Sequence, residues 1–241
     1  SGFGTQKLED ETKKLFPQAR IARLDRDTVK GRKSFESVHR KMNLGEIDIL
    51  IGTQMITKGH DFPNVTLVGV VYADLSLHIP DFRSAERSFQ LLTQVAGRAG
   101  RGKVPGLVII QSLSSGHYVF DFVKEHDFRG FSEKELALRE KLKYPPFTRM
   151  VSIQIESEHE QVGEIFANSI HKALARILNK TNDIEVLGPA RASLYQINNR
   201  FRRHLILRSY DYRKLHSVLR RLYETPEIKK FSNSKVKLIL D

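Results

Sequence analysis

The chain has 241 residues, of which 40% are hydrophobic and 28% charged. This composition is typical of a globular protein with one large domain or two ordinary ones. The absence of cysteine excludes disulfides and cysteine-ligated zinc within the chain. The sequence has no apolar run of about 18 residues and no signal-peptide core, so it predicts a cytoplasmic protein with no membrane partner. Its first residue is not Met, which is typical of a segment inside a longer protein.

The net charge is +12, and most of the excess lies after Phe147, where 17 basic residues accompany 10 acidic ones. A basic surplus attracts polyanions through counterion release, without sequence preference. The charge therefore favours a nucleic-acid partner, and the alternative is an ordinary basic protein.

Helical and strand-like patterns alternate in the first part of the chain. We predict helices at residues 8–16, 33–42 and 84–99, and strands at 20–24, 47–51, 65–72 and 106–111. Such alternation, with continuous apolar strands, predicts an α/β fold with a parallel sheet covered by helices. Because sheets of this class normally begin with a strand and this one begins with a helix, we expect it to lack its first strand and to have an unpaired edge.

A double proline marks the best domain boundary. The helix predicted at 131–142 runs into Pro145-Pro146, which cannot continue a helix, so we place the domains at 1–147 and 148–241. In the second domain we predict strands at 150–156, 184–188, 203–208 and 235–240, and helices at 161–178 and 212–223. The order β-α-β-β-α-β predicts a smaller α+β domain of split-βαβ, or ferredoxin-like, type.

A loop of small and polar residues follows the second predicted strand, at the carboxyl end where open α/β sheets bind ligands. Gly52 and Thr53 are small enough to let backbone amides approach a phosphate. Lys58 adds a positive charge, and Asp61, two residues after Gly59, is suited to accept a hydrogen bond from a sugar hydroxyl. The alternative is a strand-to-loop turn that uses glycine and aspartate for its geometry.

A second polar segment, Gln94-x-x-Gly97-Arg98-x-Gly100-Arg101, ends the predicted helix before the last strand of this domain. Arginine suits bidentate phosphate contacts and the charge that develops during phosphoryl transfer. Gln94 is suited to orient a water molecule or to contact a phosphate. The alternative is that the arginines only complement the helix dipole.

The two segments, Gly-Thr-Gln-Met-x-x-Lys-Gly-His-Asp-Phe-Pro-Asn-Val and Gln-Val-Ala-Gly-Arg-Ala-Gly-Arg, resemble motifs V and VI of superfamily 2 helicases. Flanking phrases, such as Arg-Leu-Asp-Arg-Asp-Thr from Arg23 and Tyr-Pro-Pro-Phe from Tyr144, are similar to those of the PriA family of bacterial replication-restart helicases. The resemblance covers essentially the whole chain. It also includes the segment before motif VI, where we expect an ion-pair network of Asp81, Arg83, Glu86 and Arg87.

The resemblance implies a RecA-like second helicase lobe, whose motif VI faces ATP and Mg²⁺ held by another lobe. The catalytic candidates toward the β- and γ-phosphates are Gln94, Arg98 and Arg101, and the ATP-side binding candidates are Gly59, Asp61 and Gly97. The candidates for contact with DNA in this lobe are Gly52, Thr53 and Lys58.

The chain contains neither Gly-x-x-x-x-Gly-Lys-[Ser/Thr] nor Asp-Glu-x-His, so it lacks a phosphate cradle and a magnesium-binding acid. In the resembling family both lie upstream, as does a cysteine-rich zinc module. Zinc is therefore expected only in the upstream part of a parent protein, and the histidines here show no metal-ligand spacing. The resemblance implies the distal part of an ATP-dependent 3′-to-5′ DNA helicase that restarts stalled replication forks by primosome assembly. The isolated chain is expected to be inactive as an ATPase.

The implied partners are branched and single-stranded DNA, the single-strand-binding protein and primosome proteins, at the bacterial nucleoid. In the second domain, basic residues with interleaved aromatics can pair with phosphates and stack on bases. The DNA-binding candidates around the predicted Asn198-Asn199 turn are Arg191, Tyr195, Arg200, Arg202 and Arg203. The alternative is a solvated hairpin whose aromatic side chains pack inward. The basic residues of the last predicted helix, Lys214, Arg220 and Arg221, favour a solvated face.

Two other functions stay open. One is a superfamily 2 translocase of repair or branch migration. The other is a non-catalytic nucleic-acid-binding module in which the helicase lobe is a scaffold.

Overall fold

The computed structural model describes residues 4–25, 32–53, 62, 64–100, 105–179, 183–231 and 236–240. The chain forms two compact units, Ser1–Phe131 and Ser132–Asp241. The division falls within the helix Phe128–Lys141, whereas the domain boundary after Phe147 stays a prediction.

The first unit alternates short strands with helices. Its elements are α1 (Thr5–Leu15), β1 (Ile21–Leu24), α2 (Arg32–Asn43), β2 (Ile49–Gly52), β3 (Leu67–Val70), a 3-10 helix (Ala73–Ser76), α3 (Ser84–Ala96), β4 (Leu107–Ile110), α4 (Tyr118–Lys124) and the start of α5 (Phe128–Lys141). β1 pairs with β2 and β3 with β4, both in parallel. The parallel α/β prediction is confirmed. Within the described ranges, however, the strands form two separate ladders and leave more unpaired edges than the single one predicted.

Aromatic and aliphatic side chains from three helices form the core of the first unit. Leu92 of α3 and Val119 and Val123 of α4 are almost fully buried. Phe89 of α3 stacks on Phe131 of α5, with ring centroids 4.1 Å apart. Because residues three or four apart lie on the same side of a helix, these positions form one continuous apolar surface.

The second unit contains one antiparallel sheet with helices on one face. After the rest of α5 come β5 (Arg149–Ser157), α6 (Glu160–Ile177), β6 (Ile184–Ile197), β7 (Arg200–Ser209), α7 (Tyr212–Tyr223), α8 (Pro226–Phe231) and β8 (Val236–Leu240). The strand order is β6-β7-β5-β8, and each pairing is antiparallel. The predicted split-βαβ order is confirmed, with α8 as an additional short helix.

Alternation along the strands builds the core of this unit. Ile153 of β5 lies opposite Leu205 of β7, and both are completely buried against Ile170 and Leu174 of α6. Successive strand residues point to opposite faces, so every second position reaches the helices. No helix within the described ranges is both long and apolar enough to cross a membrane.

The β6–β7 hairpin is longer than the sequence predicts. Its turn is Asn198-Asn199, with φ values of 50° and 60°, and asparagine tolerates the left-handed backbone that a two-residue hairpin turn needs. Gly188 of β6 has a φ of +96°, and an added Cβ would lie 2.8 Å from the carbonyl oxygen of His204. Only glycine fits there. The register shifts just beyond Leu187, which explains why the regular strand pattern ended near residue 188.

Candidate functional site

The carboxyl ends of β1 and β2 lie side by side at the same end of the first ladder, because these strands are parallel and Leu24 lies opposite Gly52. Gly52 is half-buried, and Thr53, the next residue, is exposed. The first two motif V candidates therefore lie at the predicted sheet edge, with the Thr53 side chain open to solvent. The other motif V candidates, Lys58, Gly59 and Asp61, lie outside the described residues.

A buried carboxylate lies at the same edge. Asp25 follows β1 and is 5% exposed. It accepts a hydrogen bond from the hydroxyl of Thr5 at the start of α1, and Arg23 Nε lies 3.3 Å from its Oδ2 atom. Thr5 therefore meets the Arg-Leu-Asp phrase that begins at Arg23, and this contact connects the start of α1 to the end of β1.

The motif VI candidates lie at the end of α3. This helix ends at Ala96 and not at residue 99, and Gly97 is its C-cap, with its N–H bonded to the Thr93 carbonyl. Gln94 in the last turn is exposed, and Arg98, just past the helix, is half-buried. The structure therefore places Gln94 and Arg98 within five residues of each other in a helix end and turn. Arg101 lies outside the described residues.

The turn after Arg98 has room only for glycine. Gly100 has a φ of +74°, and a Cβ there would lie 2.5 Å from the backbone nitrogen of Gly106. The Gly100 N–H donates to the Val65 carbonyl. This glycine lets the chain cross closely beside the segment that leads into β4, and it thereby fixes the backbone that carries Arg98.

Ion pairs stabilise the start of α3. Arg83 Nε and Arg87 Nη1 lie 3.1 Å and 3.0 Å from the two carboxylate oxygens of Asp81. Glu86 accepts a hydrogen bond from Gln90. Burial raises the pKa of Asp81, but the hydrogen bonds from Arg83 and the charge of Arg87 outweigh it, so that this pKa lies below its ordinary value. The expected network is present among Asp81, Arg83 and Arg87.

Asp74 connects the ends of β3 and β4 and was missed by the sequence analysis. It is 5% exposed and accepts hydrogen bonds from Ser112 Oγ and from the backbone N–H groups of Leu113 and Ser114, at 2.5, 2.7 and 3.0 Å. The Ser112 bond, followed by those of the two amides, lowers the pKa of Asp74 to about 2 against the opposing effect of burial. The one local signal was an aspartate two residues after the predicted strand 65–72.

The basic residues of the β6–β7 hairpin are paired with glutamates. Arg191 Nη2 lies 3.0 Å from Glu160 Oε1, and Arg203 Nη2 lies 2.8 Å from Glu164 Oε2. The remaining pairs are Arg200 with Glu158 at 3.4 Å and Arg202 with Glu156 at 3.2 Å. Glutamates at positions 156, 158 and 160 are visible in the sequence, and the register that sets Glu156 opposite Arg202 explains their pairing.

The hairpin candidates divide into two groups. Arg191, Tyr195 and Arg203 meet at Glu160 on the helix side of the sheet. Arg202, one residue before Arg203, contacts Gln154 and Glu156, and strand alternation directs it to the opposite face. These candidates were predicted to lie around one turn, and the structure divides them between two faces of the sheet. Their role in DNA binding stays a prediction.

Tyr195 lies at the centre of the helix-side group. Its hydroxyl donates to Glu160, the Arg191 guanidinium lies 4.6 Å from its ring centroid, and the Phe201 ring is 5.6 Å away. Burial, followed by this hydrogen bond, raises the pKa of Tyr195. The same bond, with the charges of Arg191 and Arg203, lowers the pKa of Glu160. The aromatic ring is therefore already stacked and hydrogen-bonded within the protein.

The described residues fit a nucleotide phosphate better than a metal ion. Asp25 and Asp74 already accept hydrogen bonds from Thr5, Ser112 and two amides. No group of three or more histidines and carboxylates within the described ranges is arranged to hold a metal. In contrast, Gln94 is exposed and Arg98 is partly so at the same helix end, a donor set suited to phosphate oxygens.

Comparison with known proteins identifies two family profiles in the chain. Residues 4–103 match "Helicase conserved C-terminal domain" and residues 140–241 match "Primosomal protein N C-terminal domain". Replication restart protein PriA of Bacillus subtilis is 42% identical over 92% of the chain, and that of Synechocystis is 41% identical over all of it. PriA of Treponema pallidum is 39% identical over 91% of the chain.

The chain spans only 28% to 33% of the length of these three relatives. Among solved structures, the de novo designed protein Foldit4 aligns with 39% of this chain and 96% of its own, at 23% identity and a TM-score of 0.30, which is too low to support an argument. The family profiles and the relatives agree with each other and with the two units of the fold. The chain belongs to the PriA family and corresponds to its C-terminal portion, a helicase C-terminal domain followed by a primosomal C-terminal domain.

Proposed function

We propose that this chain provides the second motor lobe and a DNA-binding tail of an ATP-dependent 3′-to-5′ DNA helicase that restarts replication at stalled forks. The main support is the combination of the two family profiles in one chain, with about 40% identity to PriA along almost its whole length. The end of α3 also supports the motor assignment, because exposed Gln94 and half-buried Arg98 stand where the resembling superfamily has motif VI, and both are residue types suited to phosphate contacts.

In this proposal, another lobe would hold ATP and Mg²⁺, and the reaction would be transfer of the terminal phosphoryl group of ATP to water. Arg98 contributes a guanidinium that pairs with phosphate oxygens and offsets the charge that develops during transfer. Gln94 orients a water molecule or contacts the γ-phosphate. The proposal also gives Gly59, Asp61, Gly97 and Arg101 roles in binding the same ATP.

The DNA side of the proposal begins at the carboxyl edge of β2. Gly52 and Thr53, together with Lys58, approach the DNA backbone, where small residues and exposed backbone amides permit close contact with phosphates. The second unit adds the arginines of the β6–β7 hairpin. Forked and single-stranded DNA, the single-strand-binding protein and primosome proteins are the partners that this function requires, at the nucleoid in the cytoplasm.

The test is an ATPase measurement with single-stranded DNA present. We expect no activity from this chain alone, because its sequence contains no Walker lysine motif. Addition of a separately produced lobe with that motif should restore activity. Arg98→Ala should then reduce the restored rate by about 1,000-fold, as expected for loss of an arginine that contacts the transferred phosphoryl group.

The matched control is Arg40→Ala, which removes an exposed arginine from α2 in the same unit and should leave the rate within about twofold. DNA-stimulated ATPase from this chain alone would contradict the proposal. A mixture that binds DNA but never hydrolyses ATP would instead favour a non-catalytic binding module. Unwinding of linear duplexes as fast as forks would favour a repair or branch-migration translocase.

A further inference from the structure

A cavity in the first unit lies between β4, the end of α3 and α4. Its volume is about 500 Å³, and sites that bind small organic molecules usually measure about 300–1,000 Å³. Seven of the described lining residues are apolar or glycine, and the other four are serine, lysine or histidine. The described lining includes no carboxylate. The cavity therefore combines an apolar interior with polar groups that carry no negative charge.

Small residues keep the cavity open. Val108 and Ile110 of β4 line it from one face of the strand, and both are only half-buried. Ala96 and Ala99, at the end of α3 and in the turn that follows, contribute one methyl group each, and Gly106 contributes no side chain. A Cβ at Gly106 would lie 2.2 Å from a backbone nitrogen, so this position cannot fill the space. The cavity is therefore part of the close crossing beside motif VI.

The polar part of the lining has a positive charge that nothing in the described ranges neutralises. Lys124, the last residue of α4, is exposed and forms neither an ion pair nor a side-chain hydrogen bond with another described residue. Ser115 and His126 line the same cavity and are exposed as well. The hydroxyl of Ser112, in contrast, already donates to Asp74. The cavity thus offers a single ammonium group, with a hydroxyl and an imidazole as further hydrogen-bonding groups.

We infer that this cavity binds a small apolar molecule with a single carboxylate. The apolar part of the ligand packs against Val108, Ile110 and Phe120, where removal of its surface from water stabilises the complex. The carboxylate accepts a charge-assisted hydrogen bond from the Lys124 ammonium group. One ammonium group matches one negative charge, whereas a phosphate ester with two charges would leave charge unpaired beside apolar walls. The site does not depend on the motor function proposed above.

Isothermal titration calorimetry of the intact 241-residue chain with naphthoate and with its neutral isostere naphthamide tests the inference. Naphthoate should bind with a Kd below about 1 mM. Lys124→Gln should weaken naphthoate binding about tenfold and leave the affinity for naphthamide within about twofold. Ala96→Leu keeps a strong helix former in α3 and fills the cavity, so it should weaken both ligands at least about tenfold. Circular dichroism should show an unchanged fold in both variants.

The matched control is Lys41→Gln, which removes an exposed lysine from the last turn of α2 in the same unit. It should change the affinity for naphthoate by less than about twofold. An equal loss in this control would mean that net charge alone drives binding, and would overturn the inference. Absence of saturable naphthoate binding up to about 5 mM would also overturn it.

Hydrogen exchange read by mass spectrometry locates the bound naphthoate. Exchange should slow in residues 94–100 and 106–110, which include the walls at the end of α3 and in β4, and should not change in the second unit. Protection confined to the second unit would overturn the inference. Naphthyl phosphate that binds more than about ten times tighter than naphthoate would overturn it in favour of a phosphate-ester ligand. Each outcome is independent of ATPase activity.

Discussion

The two units of this chain bury their strands to different extents. In the second unit, strands of 9, 10 and 14 residues join β8 in one antiparallel sheet. That sheet and its helices share one buried cluster of 14 residues. In the first unit the described strands have four residues each and form two ladders, and the described core cluster has six buried residues. Longer strands in one sheet bury more apolar area per residue, so we expect the second unit to be the more stable.

The β3–β4 ladder shows this difference in burial, because one of its faces has exposed apolar side chains. Leu67 and Leu107 lie opposite each other, and together with Ile109 they are more than half exposed. Parallel strands normally have both faces covered, and here one apolar face is open. The first unit therefore derives less of its stability from its sheet than the second unit does.

The largest effect that we predict separates the two sheets directly. Leu205→Ala removes a completely buried side chain from β7 and should lower the free energy of unfolding of the second unit by about 2–5 kcal/mol. Leu107→Ala in β4 is the matched control, because that leucine is 59% exposed; it should cost less than about 1 kcal/mol. Hydrogen exchange read by mass spectrometry assigns the loss to one unit. Equal losses in the two variants would contradict the proposed difference between the sheets.

The next largest effect concerns the close crossing in the first unit. Gly100→Ala adds a Cβ at a φ of +74° and 2.5 Å from a backbone atom, so we expect a loss of about 2 kcal/mol or more. Gly116→Ala is its control, since no atom lies within 4 Å of the added Cβ. Thermal unfolding should show a lower midpoint for the first substitution alone. If both variants unfold like the wild type, Gly100 does not fix the turn after Arg98.

Much of the fold was predictable because its signals are local. Periods of 2 and 3.6 residues identified the strands and the longer helices of the described residues, and the order β-α-β-β-α-β predicted the topology of the second unit. The prediction that α3 reaches residue 99 was wrong. The helix ends at Ala96, and Gly100, the residue that fixes the turn, owes its conformation to a distant contact with Gly106. The seven-residue helix α4, capped by the ring of His117, was too short to give a periodic signal.

The electrostatic structure of the candidate sites was less predictable, because it depends on contacts between distant residues. Motifs V and VI are each a continuous stretch of sequence, so they were identified from sequence alone. Asp74 instead accepts its hydrogen bond from Ser112, which is 38 residues away in the chain. The sequence alone does not show that the hairpin arginines have partners. The strand register, which sets Glu156 opposite Arg202, shows it. Sequence composition therefore located the basic residues but did not show which of them were already paired.

A smaller effect is expected at the start of α7. The Asp211 carboxylate accepts hydrogen bonds from the backbone N–H groups of Arg213 and Lys214. Asp211→Ala should therefore cost about 1 kcal/mol, the usual value of an N-cap. Asp211→Asn keeps an acceptor and should restore most of the loss, which urea unfolding of the second unit can measure. No difference between alanine and asparagine would show that the cap does not stabilise α7.

The smallest effect is expected only at acidic pH, and it concerns Asp74 in the first unit. The pKa of Asp74 is about 2 in the folded protein, below the ordinary value, so the folded state binds its proton less readily than the unfolded state does. The stability due to this carboxylate is therefore fully present above about pH 4 and is lost as the pH falls toward 2. Asp74→Asn should make the melting temperature of the first unit fall less steeply over that range.

Asp48, whose pKa is also about 2 because of hydrogen bonds from Arg20, contributes equally to the wild type and to the Asp74→Asn variant, so its effect cancels in the difference between them. Asp10→Asn, at an exposed position of α1, controls for the change in net charge, and a slope as shallow as that of Asp74→Asn would refute the assignment to Asp74.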